Sequence, residues 1–139
     1  MQSLYTASAT ANGGRNGTTR NSNGVIDLTL STPKSMGGPG KEGATTPEDL
    51  FAAGYAGCFG SAVDLIGKMQ KLNVDGMLVT ARVSIGKNDS GGFGLAVELD
   101  VTLPQLERAA AEKLVAEAHK ICPYSNATRN NVDVAIKVL

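Results

Sequence analysis

The 139-residue sequence has no tryptophan, an aromatic fraction of only 4%, two cysteines, one histidine and no excess of charge of either sign, with 13 basic residues against 13 acidic ones. Each scarcity excludes something. Without a basic surplus there is nothing to neutralise phosphates, so neither nucleic acid nor an anionic membrane is an expected partner. No run approaches the roughly 18 to 20 apolar residues of a membrane span, and Met1 to Thr10 lacks a basic stretch before an apolar one, so neither membrane insertion nor secretion is expected. Cys58 and Cys122 form no C-x-x-C, and two cysteines are too few for a secreted disulfide scaffold or a four-cysteine zinc site. A cytoplasmic location is expected. The hydrophobic fraction of 42% and charged fraction of 19% belong to an ordinary folded chain, and the length fits a single domain over residues 1–139.

What is abundant is glycine, 17 residues in all, and its placement organises the chain. Leu4 to Ala11 alternates loosely as a strand, Asn12 to Gly17 is a turn, and Gly24 to Ser31 is a second strand. Thr32 to Thr45 holds two prolines and four glycines and reads as a loop. Thr46-Pro47-Glu48-Asp49 then carries the marks of a helix start: a hydroxyl N-cap, proline at the first helical position, and Asp49 in the capping-box place. The helix is expected to run to about Leu72. Its interior is crowded with small residues, Ala52, Ala53, Gly54, Ala56, Gly57, Gly60, Ser61 and Ala62. Glycine costs about 1 kcal/mol against alanine in a helix interior, which points to close backbone approach by a sheet or second helix. Met77 to Ile85 and Phe93 to Leu103 alternate at period two as a hairpin, Pro104 to Ile121 is a second helix stopped by Pro123, and Val132 to Val138 is a last strand. This order predicts an α+β fold with helices on one face of a mostly antiparallel sheet. Five strands are few for burying a Gly/Ala helix on all sides, and a homodimer would supply the missing surface.

The chemistry centres on sulfur. Cys58 lies within the small-residue helix, where desolvation alone raises a thiol's pKa, so reactivity requires a nearby cation. An unperturbed thiol is only about 3% ionised at pH 7, and lowering its pKa by 3 units takes about 4 kcal/mol. Cys122 sits at a helix C-terminus, whose partial negative charge disfavours a thiolate. An ionised cysteine and a protonated one suit a peroxidatic and resolving pair, and two buried structural thiols remain the plainer alternative. His119 and Cys122 are three apart but fall short of a complete metal site, and His119 is expected to meet the carbonyls at its helix end. Arg20, Arg82 and Arg129 are further cations, expected to be structural, Arg129 beside the Cys122 loop.

Three motifs carry a resemblance: T-P-E-D-L-F-A-A-G-Y-A-G-C-F from Thr46 to Phe59, C-P-Y-S-N-A-T-R from Cys122 to Arg129, and G-G-R-N-G from Gly13 to Gly17. Together with the G-G-P-G loop and the G-G-F-G-L hairpin, they resemble the organic hydroperoxide resistance (Ohr) branch of the OsmC-like superfamily across nearly the whole chain. The resemblance implies an intertwined homodimeric α+β fold and a thiol peroxidase acting on alkyl and fatty-acid hydroperoxides. Reduction by dihydrolipoyl groups on partner proteins or by small thiols, with no bound cofactor, is part of the same implication. By motif, Cys58 matches the peroxidatic cysteine, Cys122 the resolving one, Arg15 the activating arginine and Glu48 the carboxylate that orients it. Thr46 and Asp49 stand where Asn and Gln are frequent, and Gly60-Ser61 where bulkier residues are common. Met36, Phe51, Phe93, Leu95 and Tyr124 are candidate walls of an apolar substrate pocket. Glu48 precedes Cys58 by ten residues, about 15 Å along a straight helix, so the two do not touch within it. Either the small-residue helix kinks, Arg15 bridges the distance, or Glu48 comes from the other subunit, the last of which would put the site at a dimer interface. The competing expectation is a noncatalytic OsmC-like module that binds an apolar ligand or a metal.

Overall fold

A computed structural model describes residues 1–139, which divide into two units, 1–50 and 51–139. In the first unit β1 (Ala9–Asn12), β2 (Thr18–Asn21) and β3 (Asp27–Thr29) form an antiparallel sheet in that order. The sequence reading expected two strands here. β2 is Thr-Thr-Arg-Asn, and because none of its residues is buried it carries no apolar alternation to announce it. Short 3-10 turns at Gly14–Asn16 and Lys34–Met36 punctuate the loops. Helix α1 (Pro47–Gln70) begins at the end of this unit and continues through the next.

The start of α1 is built as its residues predict. Thr46 Oγ1 accepts the Asp49 backbone N–H at 3.0 Å, and Asp49 Oδ2 accepts the Thr46 N–H at 3.0 Å, a reciprocal capping box. The helix ends as the backbone turns left-handed at Lys71. By length and mean hydropathy α1 reaches what a membrane span needs, a threshold that the core helix of a folded domain also meets. One stripe of it is core: Tyr55, Phe59, Ala62, Val63, Ile66 and Gly67 are buried, following helical periodicity. The opposite face is open, with Leu65 52% and Met69 70% exposed, so within one chain α1 is not buried on all sides.

The second unit's sheet runs β4 (Leu78–Lys87), β5 (Phe93–Thr102) and β6 (Asp133–Val138), with β5 central. β4 and β5 are an antiparallel hairpin in register Leu78 to Thr102 through Lys87 to Phe93. β6 lies parallel to β5, because α2 (Arg108–Ile121) carries the chain back across the sheet. Val97, Leu99 and Val101 of β5 point into one core with the α1 stripe and with Ala111, Leu114, Val115 and Ala118 of α2. Fully burying side chains of this size contributes about 1.5 to 3 kcal/mol each. A further helix, α3 (Pro123–Thr128), follows α2 after a single residue. Pro123 not only stops α2 but also occupies the first position of α3, where its missing N–H costs nothing.

Candidate active site

Arg15 is held by a tight turn whose geometry demands glycine. A Cβ at Gly17 would run into the carbonyl oxygen of Asn12, so no other residue closes the loop this way. From that turn the Arg15 guanidinium clasps Glu48 with both arms, Nη1 donating to Oε2 at 2.8 Å and Nη2 to Oε1 at 2.6 Å. Both residues belong to the same chain. The hydrogen bonds from Arg15 hold the Glu48 carboxyl below the usual carboxylate range, and the same pairing raises Arg15.

This pair makes a pH prediction. A carboxyl whose pKa falls on folding contributes stability that is present above its unfolded pKa, roughly 4.3, and is lost as pH falls through the folded value. The contribution is about 1 kcal/mol, at the low end for a charge-assisted pair because the Arg15 side chain is 37% exposed, against 13% for Glu48. Urea melts of the parent and of Glu48→Gln should therefore differ at pH 7 and converge near pH 3. A constant gap across that range would show that the ion pair contributes nothing to it.

In the second unit, Cys58 on α1 and Cys122 between α2 and α3 bring their sulfurs within 3.6 Å as free thiols. A disulfide bond is about 2.0 Å long, so closure needs a movement of side-chain scale. Sixty-four residues of separation left this contact open; the packing of α3 on α1 decides it. Cys122 is fully buried and Cys58 half-buried. Burial pushes the Cys58 thiol up, the Tyr124 backbone N–H opposes it by favouring the thiolate, and the second sulfur adds to the rise because two adjacent sulfurs resist sharing negative charge.

Two of the pocket candidates are brought together: the Phe51 and Tyr124 rings lie 5.9 Å apart, each also against Tyr55. Gly54 makes room for them, since a Cβ there would come within 3.0 Å of the Tyr124 hydroxyl. Phe93 is 67% exposed at the start of β5, Leu95 borders a shallow cleft with Ile85 and Gly86, and Met36 ends the Lys34–Met36 turn. The other cations are engaged elsewhere. Arg82 bridges Glu98 and Asp100, Arg20 lies 3.7 Å from Asp27, and Arg129 ties Asn126 of α3 to the His119 carbonyl of α2. His119 departs from expectation: its Nδ1 is buried without a partner, its ring lies near Phe59, and burial and Arg129 lower its pKa. No three His, Cys, Asp or Glu side chains gather as a metal-binding group. The sequence reading missed the Tyr124 N–H and α3 altogether; Pro123 in a place suited to a first helical position was the available signal.

The family described as OsmC-like protein matches residues 38–137. The chain belongs to the OsmC-like family, on its Ohr branch. It is 48% identical over 134 residues to the organic hydroperoxide resistance protein of Xanthomonas axonopodis pv. citri, covering 96% of this chain and 93% of that one. The crystal structure of the OhrB protein of Bacillus subtilis superimposes with a TM-score of 0.91 at 43% identity, covering 99% of this chain and all of that one. An organic hydroperoxide resistance protein of Legionella pneumophila gives a TM-score of 0.93 at 46% identity, over 99% and 98% of the two chains. The α+β architecture of three helices and two three-stranded sheets is thus the Ohr fold.

Proposed function

We propose that this Ohr-branch chain is a thiol peroxidase that detoxifies organic hydroperoxides and serves in the oxidative stress response. The observation that carries the reading is the Cys58–Cys122 pair at 3.6 Å in a chain whose relatives are named for organic hydroperoxide resistance. The Cys58 thiolate attacks the outer peroxide oxygen; the O–O bond breaks, the alkoxide leaves and takes a proton to become the alcohol, and Cys58 becomes a sulfenic acid. The Cys122 thiol then condenses with that sulfenic acid to give the disulfide and one water. A dihydrolipoyl group on a partner protein, or a small thiol, supplies the two electrons that restore both thiols, and no bound cofactor takes part.

Arg15 is assigned the stabilisation of the thiolate and of the departing oxygen, with Glu48 fixing its orientation. A planar guanidinium can hold a carboxylate with one edge and keep other donors free, which lysine cannot do. Burial pushes the Cys58 thiol up, so ionising it requires a cation, and that role is assigned to Arg15 by the motif. The adjacent Phe51 and Tyr124 rings support an apolar wall suited to alkyl and fatty-acid hydroperoxides.

The whole chain is read as one functional domain, since the family match at 38–137 crosses the boundary between the two units. It is read as cytoplasmic, in keeping with thiols that must return to the reduced state. A homodimer is supported by the first unit's sheet, which has no buried residue in any strand, and by the exposed Leu65 and Met69 face of α1. Three short strands without a buried face do not hold by themselves. Sedimentation at micromolar protein should give twice the 14.3 kDa chain mass, and a monomer at that concentration would remove the dimer from this reading.

The raised Cys58 also fits a second reading, a noncatalytic OsmC-like module that binds an apolar ligand. Mass measurement before and after one equivalent of cumene hydroperoxide separates the two. The peroxidase loses two hydrogens per chain as the disulfide forms, whereas the binding module keeps its mass and both thiols.

A further inference from the structure

We propose that Tyr55 is a positioning residue whose hydroxyl docks α3 on α1 and so sets the rate at which Cys122 closes on Cys58. The inference deepens the peroxidase reading and rests on it for the identity of the second step.

Tyr55 is fully buried, and its hydroxyl lies 3.0 Å from Ser125 Oγ and 3.2 Å from Thr128 Oγ1. Thr128 Oγ1 also lies 2.9 Å from the Tyr124 carbonyl and 3.2 Å from that of Ser125. Donor counting orients the chain. A carbonyl only accepts, so the single Thr128 proton goes to the backbone and Thr128 must accept from Tyr55. Tyr55, having spent its one proton, accepts from Ser125. The result is a directed run, Ser125 to Tyr55 to Thr128 to the α3 backbone, in which every hydroxyl is satisfied and none meets water.

Its place in the fold gives this run its consequence. Tyr55 precedes Cys58 by three residues on α1, and Ser125 follows Cys122 by three, so the hydroxyl run and the sulfur pair are neighbouring attachments between the same two segments. Gly54 adds the seat for the Tyr124 ring, and the Tyr124 N–H in turn bears on Cys58. Removing the Tyr55 hydroxyl leaves the buried Ser125 proton without an acceptor and frees α3 to shift. A misplacement of about 1 Å at a reacting pair can cost about 100-fold in rate.

The test follows both steps in one mixing experiment, with hydroperoxide loss for the first and disulfide mass for the second, and a dione trap for the sulfenic acid between them. Tyr55→Phe should slow disulfide closure about tenfold more than it slows consumption of the first equivalent of cumene hydroperoxide, so that trapped sulfenic acid accumulates. Thr128→Val should behave the same way, and Thr128→Ser, which restores the hydroxyl, should close at the parent rate. Closure within twofold of the parent in both Tyr55→Phe and Thr128→Val overturns the proposal. So does an equal fall in both steps that Thr128→Ser fails to avoid, which is the mark of general structural damage. A peroxide-free measurement keeps the outcome separate from the peroxidase reading. In dithiothreitol buffers the disulfide-to-dithiol ratio of Tyr55→Phe should fall about tenfold against the parent, and an unchanged ratio overturns the clamp. If the parent itself forms no sulfenic acid, the peroxidase reading fails while this equilibrium still decides the clamp.

Discussion

Cys58→Ser is expected to remove all hydroperoxide consumption above the protein-free background, while Cys122→Ser consumes one equivalent per chain and stops. The asymmetry follows from the chemistry of the two positions. A serine hydroxyl is not ionised at neutral pH and has no activating base among the groups around residue 58, so the first O–O cleavage has no nucleophile. Losing Cys122 leaves that cleavage intact and removes only the thiol that condenses with the sulfenic acid. Cys122→Ser should therefore gain one oxygen in mass, trappable by a dione, and recover only when a thiol is added. Single-turnover mass spectrometry reads both results. Consumption at the parent rate by Cys58→Ser would end the assignment of residue 58 as the nucleophile, and multiple turnovers by Cys122→Ser without added thiol would end that of residue 122.

Arg15→Ala is the second large effect, expected to slow the first step by about 100-fold or more. Burial holds the Cys58 thiol up in its own surroundings, with only the Tyr124 N–H opposing, so a cation has to supply the difference. Where the thiol dominates, the rate of the first step falls in proportion to the thiolate population. The rate of alkylation of Cys58 against pH reads that population directly. Its midpoint should lie lowest in the parent, higher in Arg15→Lys, which keeps a charge without the planar fork, and highest in Arg15→Ala. An alkylation profile unchanged in Arg15→Ala would show that Arg15 does not ionise Cys58.

Local signals made much of this fold readable, and their physical scale explains where reading stopped. The Thr46–Asp49 capping box is a contact between residues three apart, and its formation needs no tertiary partner. β5 alternates because one face of its second half meets the core, with Val79, Ala81 and Val83 of β4 packed against it, so Val97, Leu99 and Val101 stand out as a period-two pattern. β2 carries no such pattern, since neither of its faces is buried and its polar residues need not alternate. α3 has only six residues, less than two turns, too short for a 3.6-residue period to register. The same limit applies to the site. The G-G-R-N-G turn and the Glu48 position could be paired by resemblance, yet spacing along α1 leaves a kinked helix, a bridging Arg15 and a carboxylate from another chain all open. Only the path of the first fifty residues brings Arg15 to the Glu48 of its own chain.

By itself, then, the amino-acid order determined the Ohr resemblance, the helix start at Thr46, the β4–β5 hairpin and the choice of Cys58 and Cys122 over every other side chain. These rest on local geometry and on residue chemistry, which short stretches of chain carry in full. Tertiary structure alone decided that the two sulfurs meet at 3.6 Å, that Tyr55 reaches Ser125 and Thr128, and that His119 lies buried and unpaired rather than capping its helix. The sulfur and hydroxyl contacts join residues 64 to 73 positions apart. They exist only once the apolar stripe of α1, the face of β5 and the face of α2 have left water together, and no short-range pattern encodes the distances that result.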